Sequence, residues 1–211
     1  MSNYFRQYIR AVENPLPEMA EYFDKENFYL KNYVTPDSVI LDVGCGNGRT
    51  MKFLAPYAKT VIGVDYDKKM IAAAGNNLSR FDNAKVIYCD FFHYQFKKMF
   101  DLSLASYNLL GSSELDPRRR PLLLQNMLEC TKPGKHIVLS VWSDQGIEFA
   151  NKYYPHIGIR VKKIEGNDVV TDHGIFKRFT KDELNHLAVA TGREFQLLEL
   201  TDIFYLLDLK A

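Results

Sequence analysis

Residues 39–50 read "VILDVGCGNGRT". The first five residues are apolar apart from Asp42, the pattern of a strand buried on both faces. Gly44, Gly46 and Gly48 then alternate with other residues, and a helix is expected to begin near Asn47. A strand, a turn free of Cβ atoms and a helix N-terminus bring backbone N–H groups close to a ligand without steric obstruction.

The same grammar repeats outward. The strand "TVIGVD" follows a helix stopped by Pro56, and a second helix runs from Asp67 to about Leu78. "AKVIYCD" and "FDLSLASYN" read as the next two strands. Asp116 and Pro117 open a helix whose buried face is Leu123, Leu124, Met127 and Leu128, and "KPGK" turns into the strand "HIVLSVW". Strands alternating with helices predict a parallel sheet covered on both faces, with right-handed crossovers.

The last third differs. "GIRVKKIEGNDVVTDHGIFKRF" reads as extended or hairpin segments around the turn "EGND". After it, Thr180 and Glu183 have capping-box spacing, Gly192 can stop the helix, and "EFQLLELT" and "IFYLLDLK" close the sheet. One domain is expected: a helical cap over 1–35, a ligand-binding core over 36–142, a substrate-side insertion over 143–179, and a closing helix and strands over 180–211. The first 33 residues carry eight aromatics, Tyr4, Phe5, Tyr8, Tyr22, Phe23, Phe28, Tyr29 and Tyr33. They suit amphipathic helices packed on the body, or a lid whose aromatic edge lines a substrate pocket.

Charge and composition narrow the partners. With 27 Lys plus Arg against 26 Asp plus Glu, no global field attracts nucleic acid or anionic lipid. Three cysteines, at 45, 89 and 130, form no CxxC, so neither a zinc site nor a disulfide framework is expected. The opening residues are unlike a signal peptide, and no apolar run approaches the roughly 20 residues of a membrane span. The expectation is a cytoplasmic protein, monomeric or homodimeric, that does not engage a membrane.

The residues around the glycines discriminate between ligands. A dinucleotide fingerprint, G-x-G-x-x-G, would need a third glycine where Arg49 stands. Asp42 would repel a pyrophosphate but complement a ligand carrying an ammonium and a sulfonium. Asp65 ends the next strand, where a carboxylate can accept from both hydroxyls of a ribose, and Asp90 ends the third, within reach of an adenine amino group.

In motif order and spacing, "VILDVGCGNGRT", "GVDYDKKM", "YCDFF", "FDLSLASYNLLG" and "KPGKHIVLSVW" resemble the class I S-adenosylmethionine-dependent methyltransferases, small-molecule type. The resemblance implies an α/β fold: a doubly wound, mostly parallel seven-stranded sheet, with the N-terminal helices and the insertion forming a lid. It implies S-adenosyl-L-methionine as cofactor and an acceptor methylated on N or O. Asp42, Gly44, Cys45 and Gly46 would surround the methionyl end, with Asp65 on the ribose. Tyr66 and Met70 would flank the adenine, and Asp90 and Phe91 would read its edge. Ser106 or Tyr107 would face the reacting centre.

Methyl transfer needs a base only where the acceptor arrives protonated. Tyr107 and His173 are the first candidates, beside His93, His156, Glu114 and the tyrosines near the amino terminus. "SYNLLGSS" has Asn108 but no proline after the fourth strand, which argues against a nucleobase-amine or glutamine acceptor. Arg118, Arg119 and Arg120, with Lys97 and Lys98, are the best basic clusters, yet extended phosphate contact needs a broader surface, so nucleic acid is disfavoured as a partner. The alternatives are an RNA or protein methyltransferase, a protein that binds the cofactor without catalysis, and, behind both, an NAD-dependent dehydrogenase.

Overall fold

The computed structural model describes residues 4–94, 96, 97 and 99–211; Lys98 lies outside them. Two helices, α1 (Tyr4–Glu13) and α2 (Pro17–Lys31), precede the strand β1 (Val39–Val43). Then follow α3 (Arg49–Leu54), β2 (Thr60–Asp65), α4 (Lys68–Asn77), β3 (Ala84–Tyr88), β4 (Phe100–Ala105), α5 (Arg120–Cys130) and β5 (Thr131–Trp142). The chain continues through α6 (Ala150–His156), β6 (Val161–Glu165), β7 (Asp168–Thr171), β8 (Gly174–Lys177), α7 (Lys181–Val189), β9 (Phe195–Thr201) and β10 (Phe204–Lys210).

Seven strands form one sheet in the order β3-β2-β1-β4-β5-β10-β9. The first five run parallel, whereas β10 is antiparallel to both β5 and β9. The doubly wound, mostly parallel sheet implied by the sequence is therefore the fold. Its strand order reverses between β1 and β4, which opens a crevice at the carboxyl ends of those strands, where open α/β sheets take their ligands.

Local sequence accounts for the element ends. Asp67 caps α4 by accepting the Lys69 amide at 2.7 Å, and Thr180 with Glu183 forms the reciprocal capping box of α7. Leu41, Val43, Leu139 and Leu207 are buried with α5 and α7 on one side of the sheet. Ile40, Leu102, Val138 and Leu206 are buried with α2, α3 and α4 on the other, so the strands alternate between two dry interfaces. The helix α2 is also held by polar contacts: Tyr29 donates to Asp208 at 2.7 Å, and the same carboxylate lies 2.8 Å from Nδ1 of His136.

The insertion is a three-stranded antiparallel sheet, β6-β7-β8, preceded by α6. The hairpin turn at "EGND" joins β6 to β7, with Gly166 at φ +54°. A third core of Trp142, Tyr153, Tyr154, Ile159, Val169 and Phe176 seals the insertion against α1, α2 and Phe204. No helix among the described residues is long and apolar enough to cross a membrane.

Candidate active site

A cavity of about 460 Å³ opens at the carboxyl ends of β1 to β4. Asp42 ends on its floor, and Gly44, Cys45 and Gly46 form its rim. Asp65, Tyr66 and Met70 come from the end of β2 and the start of α4, Asp90 and Phe91 from the segment after β3, and Ser106 from the exit of β4. All ten residues assigned to the cofactor thus meet in one space.

The glycine turn is built by non-local bonds. The amides of Gly44 and Cys45 donate to the Val64 carbonyl at 2.8 and 3.0 Å, and the Gly46 amide donates to Oδ2 of Asp65 at 3.0 Å. Gly44 has φ +69°, and a Cβ there would fall 2.9 Å from Leu109 Cδ1. Gly46 has φ +55°, and a Cβ there would collide with the Tyr8 ring, because α1 lays Tyr8 directly on the turn.

Asp42 is 2% exposed, and among the described residues its carboxylate has no hydrogen-bond donor. Burial pushes its pKa up to about 7, with Arg49 pulling it down and Glu26 and Asp65 adding to the rise. A buried carboxylate facing a cavity without a partner invites a cationic ligand group. A ligand with an ammonium and a sulfonium beside the turn meets that requirement. Asp65 is also raised by burial, opposed by the amides of Asp67 and Gly46 that it accepts. Asp90 is more committed to the protein: it accepts the Phe92 amide at 2.9 Å and lies 3.0 Å from Nδ1 of His93. Tyr66 is half exposed and donates to Glu114.

Arg49 does more than stand where a dinucleotide turn has glycine. Its guanidinium pairs with Glu26 of α2 and stacks 4.3 Å from the centroid of Phe23. Burial works against that charge, but Glu26 holds the arginine pKa above its ordinary value. Glu26 also accepts from Tyr22 at 2.7 Å and from Ser140. Tyr22 and Ser140 in turn accept the Tyr107 amide, at 3.1 and 2.9 Å. One buried network therefore connects α2, the helix after the glycine turn, β5 and the exit of β4.

That exit is strained. Tyr107 and Asn108 have φ +56° and +62°, a left-handed conformation that non-glycine residues adopt at a cost of about 1–3 kcal/mol each. The network fixes Tyr107, while Asn108 Oδ1 accepts the Trp142 amide at 3.1 Å and Nδ2 donates to the Lys177 carbonyl at 3.3 Å. The outcome is a Tyr107 phenol turned into the cavity and bonded to Tyr153 of α6. Burial raises both phenol pKa values far above the ordinary range.

His173 is not brought to this space. It lies in the turn between β7 and β8, where its amide donates to Thr171 at 3.0 Å, and it does not line the cavity. The turn packs instead on the end of the loop that follows β4, where a Cβ at Gly174 would fall 2.8 Å from Ser113 Cβ. His93 and His156 are likewise outside: His93 sits against Asp90, and Nε2 of His156 lies 2.7 Å from the Asn14 carbonyl. Glu114 is on the rim. Residues unassigned from sequence are Tyr153, Tyr154, Trp142 and Phe176, which line the cavity together with Tyr4 and Tyr8 of α1, two of the N-terminal aromatics named from sequence.

The strand order and a ligand cavity at the glycine turn define the class I S-adenosylmethionine-dependent methyltransferase fold. Residues 40–134 match the family model described as a methyltransferase domain. It is 34% identical over 119 residues to a putative methyltransferase of Encephalitozoon cuniculi, covering 54% of this chain and 50% of that protein. The chain spans half or less of the length of the first curated relatives it matches. Among solved structures, a protein of Pyrococcus horikoshii superimposes with a TM-score of 0.77 at 18% identity, covering 100% of this chain and 99% of the other. DhpI, solved as a complex with SAH, gives 0.72 at 17% identity, covering 98% and 93%. At those identities the likeness is one of fold.

Proposed function

We propose that the protein is a methyltransferase that moves the methyl group of S-adenosylmethionine to an N or O atom of a small molecule. The carrying observation is the lining of the cavity: besides the glycine turn it includes the aromatic group Tyr4, Tyr107, Trp142, Tyr153 and Phe176, of which the last three are buried. Such a lining admits a small molecule and suits a polymer segment poorly. When bound, the cofactor supplies a methyl group already activated on sulfur.

The chain's own contribution is then positioning and exclusion of water. In this reading Asp42 and the glycine turn hold the methionyl end, Asp65 the ribose, and Tyr66, Met70, Asp90 and Phe91 the adenine. Tyr107 and Tyr153 stay protonated at neutral pH, so they orient the acceptor as neutral hydrogen-bonding groups and not as phenolate bases. Residues 1–35 serve as a cap and 143–179 as the acceptor-side lid of a single domain.

The basic run gives little support to a nucleic acid acceptor. Arg118 pairs with Asp116, Arg119 stacks on Phe92, and Arg120 turns inward to the Leu110 carbonyl, so the three do not form one surface. Incubation with methyl-labelled S-adenosylmethionine and fractionated metabolite and RNA pools tests the reading. Label in a small-molecule fraction supports it; label confined to RNA or protein, or cofactor binding without transfer to any pool, overturns it.

A further inference from the structure

Arg178 follows β8, and its side chain is wholly buried. Nη1 donates to the Ser143 carbonyl at 3.2 Å and the guanidinium lies 4.7 Å from the Trp142 ring centroid, but Nε and Nη2 meet no acceptor. Arg49, the other interior arginine, has Glu26; Arg178 has no carboxylate partner among the described residues. Burial pushes its pKa down to about 10, so it remains charged at neutral pH. An interior cation without a counter-ion opposes folding, and the fold gains nothing evident from keeping it.

A second unpaired group stands nearby. The Tyr154 hydroxyl is buried without a partner, and the charge on Arg178 acts on it. Tyr154 and Trp142 both line the cavity, and Arg178, which does not line it, lies directly against Trp142. The Nε and Nη2 groups share one edge of a guanidinium, the fork that matches the two oxygens of a carboxylate. A cationic amine at this wall would be repelled, and a neutral group would leave the arginine unpaired.

We propose that the aromatic part of the cavity is a carboxylate site, where the Tyr154 hydroxyl and the Nε–Nη2 edge of Arg178 receive a carboxylate of the methyl acceptor. The guanidinium is buried against Trp142 and does not line the cavity, so the contact requires the Tyr154 ring to move aside when the acceptor binds. The carboxylate is an anchor; the atom that receives the methyl group lies toward Tyr107. This inference rests on the small-molecule reading above and adds the acceptor's charge.

The test uses the full chain saturated with S-adenosylhomocysteine, whose own binding is measured first. Matched carboxylates, primary amides and amines on propyl, phenyl and indolyl frames are then titrated by calorimetry. At least one carboxylate is expected to bind ten-fold or more tightly than its amide and its amine. Arg178→Met is expected to erase that preference while leaving the melting temperature unchanged or higher, and Tyr154→Phe, which removes one oxygen, to weaken carboxylate binding several-fold. Cofactor-product binding with no carboxylate preference, or a preference that survives both substitutions, overturns the carboxylate site alone. A sharp loss of stability in Arg178→Met overturns it too, by making the arginine structural. Failure to bind S-adenosylhomocysteine strikes instead at the methyltransferase reading.

Discussion

The Gly46 amide donates to Oδ2 of Asp65 at 3.0 Å, so the end of one strand fixes the turn that follows its neighbour. The other oxygen of Asp65 accepts the Asp67 amide at 2.9 Å at the start of α4. The carboxylate is thus aimed before a ligand arrives, and it serves the turn and the proposed ribose contact together. Asp65→Ala is expected to weaken S-adenosylmethionine binding by roughly 10- to 100-fold, the loss of hydrogen bonds to a charged group at about 1.5–3 kcal/mol. The melting temperature should fall as well. Unchanged affinity by calorimetry would remove Asp65 from the cofactor site.

Asp42 predicts a pH dependence. In the native protein it keeps its proton up to about pH 7, whereas in the unfolded chain it loses it near the ordinary value of about 3.9. Between those values the native state holds more protons, so this group's contribution to stability declines as pH rises from about 4 to about 7 and is constant above. Asp42→Asn should flatten that slope in thermal melts of the ligand-free protein. A cationic ligand group favours the charged carboxylate, so cofactor affinity should weaken as pH falls from 7 to 5, and the asparagine variant should bind weakly throughout. A pH-independent dissociation constant over that range would contradict the assignment.

The strands, their order of acids and the capping box were legible because each is written in neighbouring residues: "VILDV", "TVIGVD" and Thr180 with Glu183 need no distant partner. Arg49 could be read only as a missing glycine, since its partner Glu26 lies on another helix, and such pairings carry no local signal. The helix α6 was hidden by Pro155 within it. His173 looked available because a turn histidine beside a substrate-side insertion has no pattern to say which way the turn faces. Arg178 had a faint signal: it lies two residues after Phe176, so an extended chain turns both to the same side, and a charged residue at an inward position is informative.

The pairing of Glu26 with Arg49 predicts an asymmetric mutational cost. Glu26→Ala leaves a buried guanidinium unpaired and unsettles Tyr22, Ser140 and the Tyr107 amide, so a loss of about 3–5 kcal/mol is expected in urea denaturation. Arg49→Met on that background should restore part of it by removing the stranded charge. If the two substitutions are additive, the residues do not act as a pair.

Tyr8 carries the last prediction, because it lies on the glycine turn although it belongs to the first helix. The sequence suggests that trimming residues 1–20 impairs transfer more than cofactor binding. With Tyr8 against Gly46 and Tyr4 against Phe176, at 5.7 Å between ring centroids, α1 reaches both halves of the cavity, and the removal is expected to impair both. Gly46→Ala probes the same contact from the other side. Its methyl group would collide with Tyr8, and φ +55° adds roughly 1–2 kcal/mol of backbone strain. Pairing it with Tyr8→Ala relieves the collision but not the strain. The double variant is therefore expected to recover part of the stability lost by Gly46→Ala, with cofactor affinity still reduced. Equal melting temperatures for the single and double variants would mean that Tyr8 does not rest on the turn in solution.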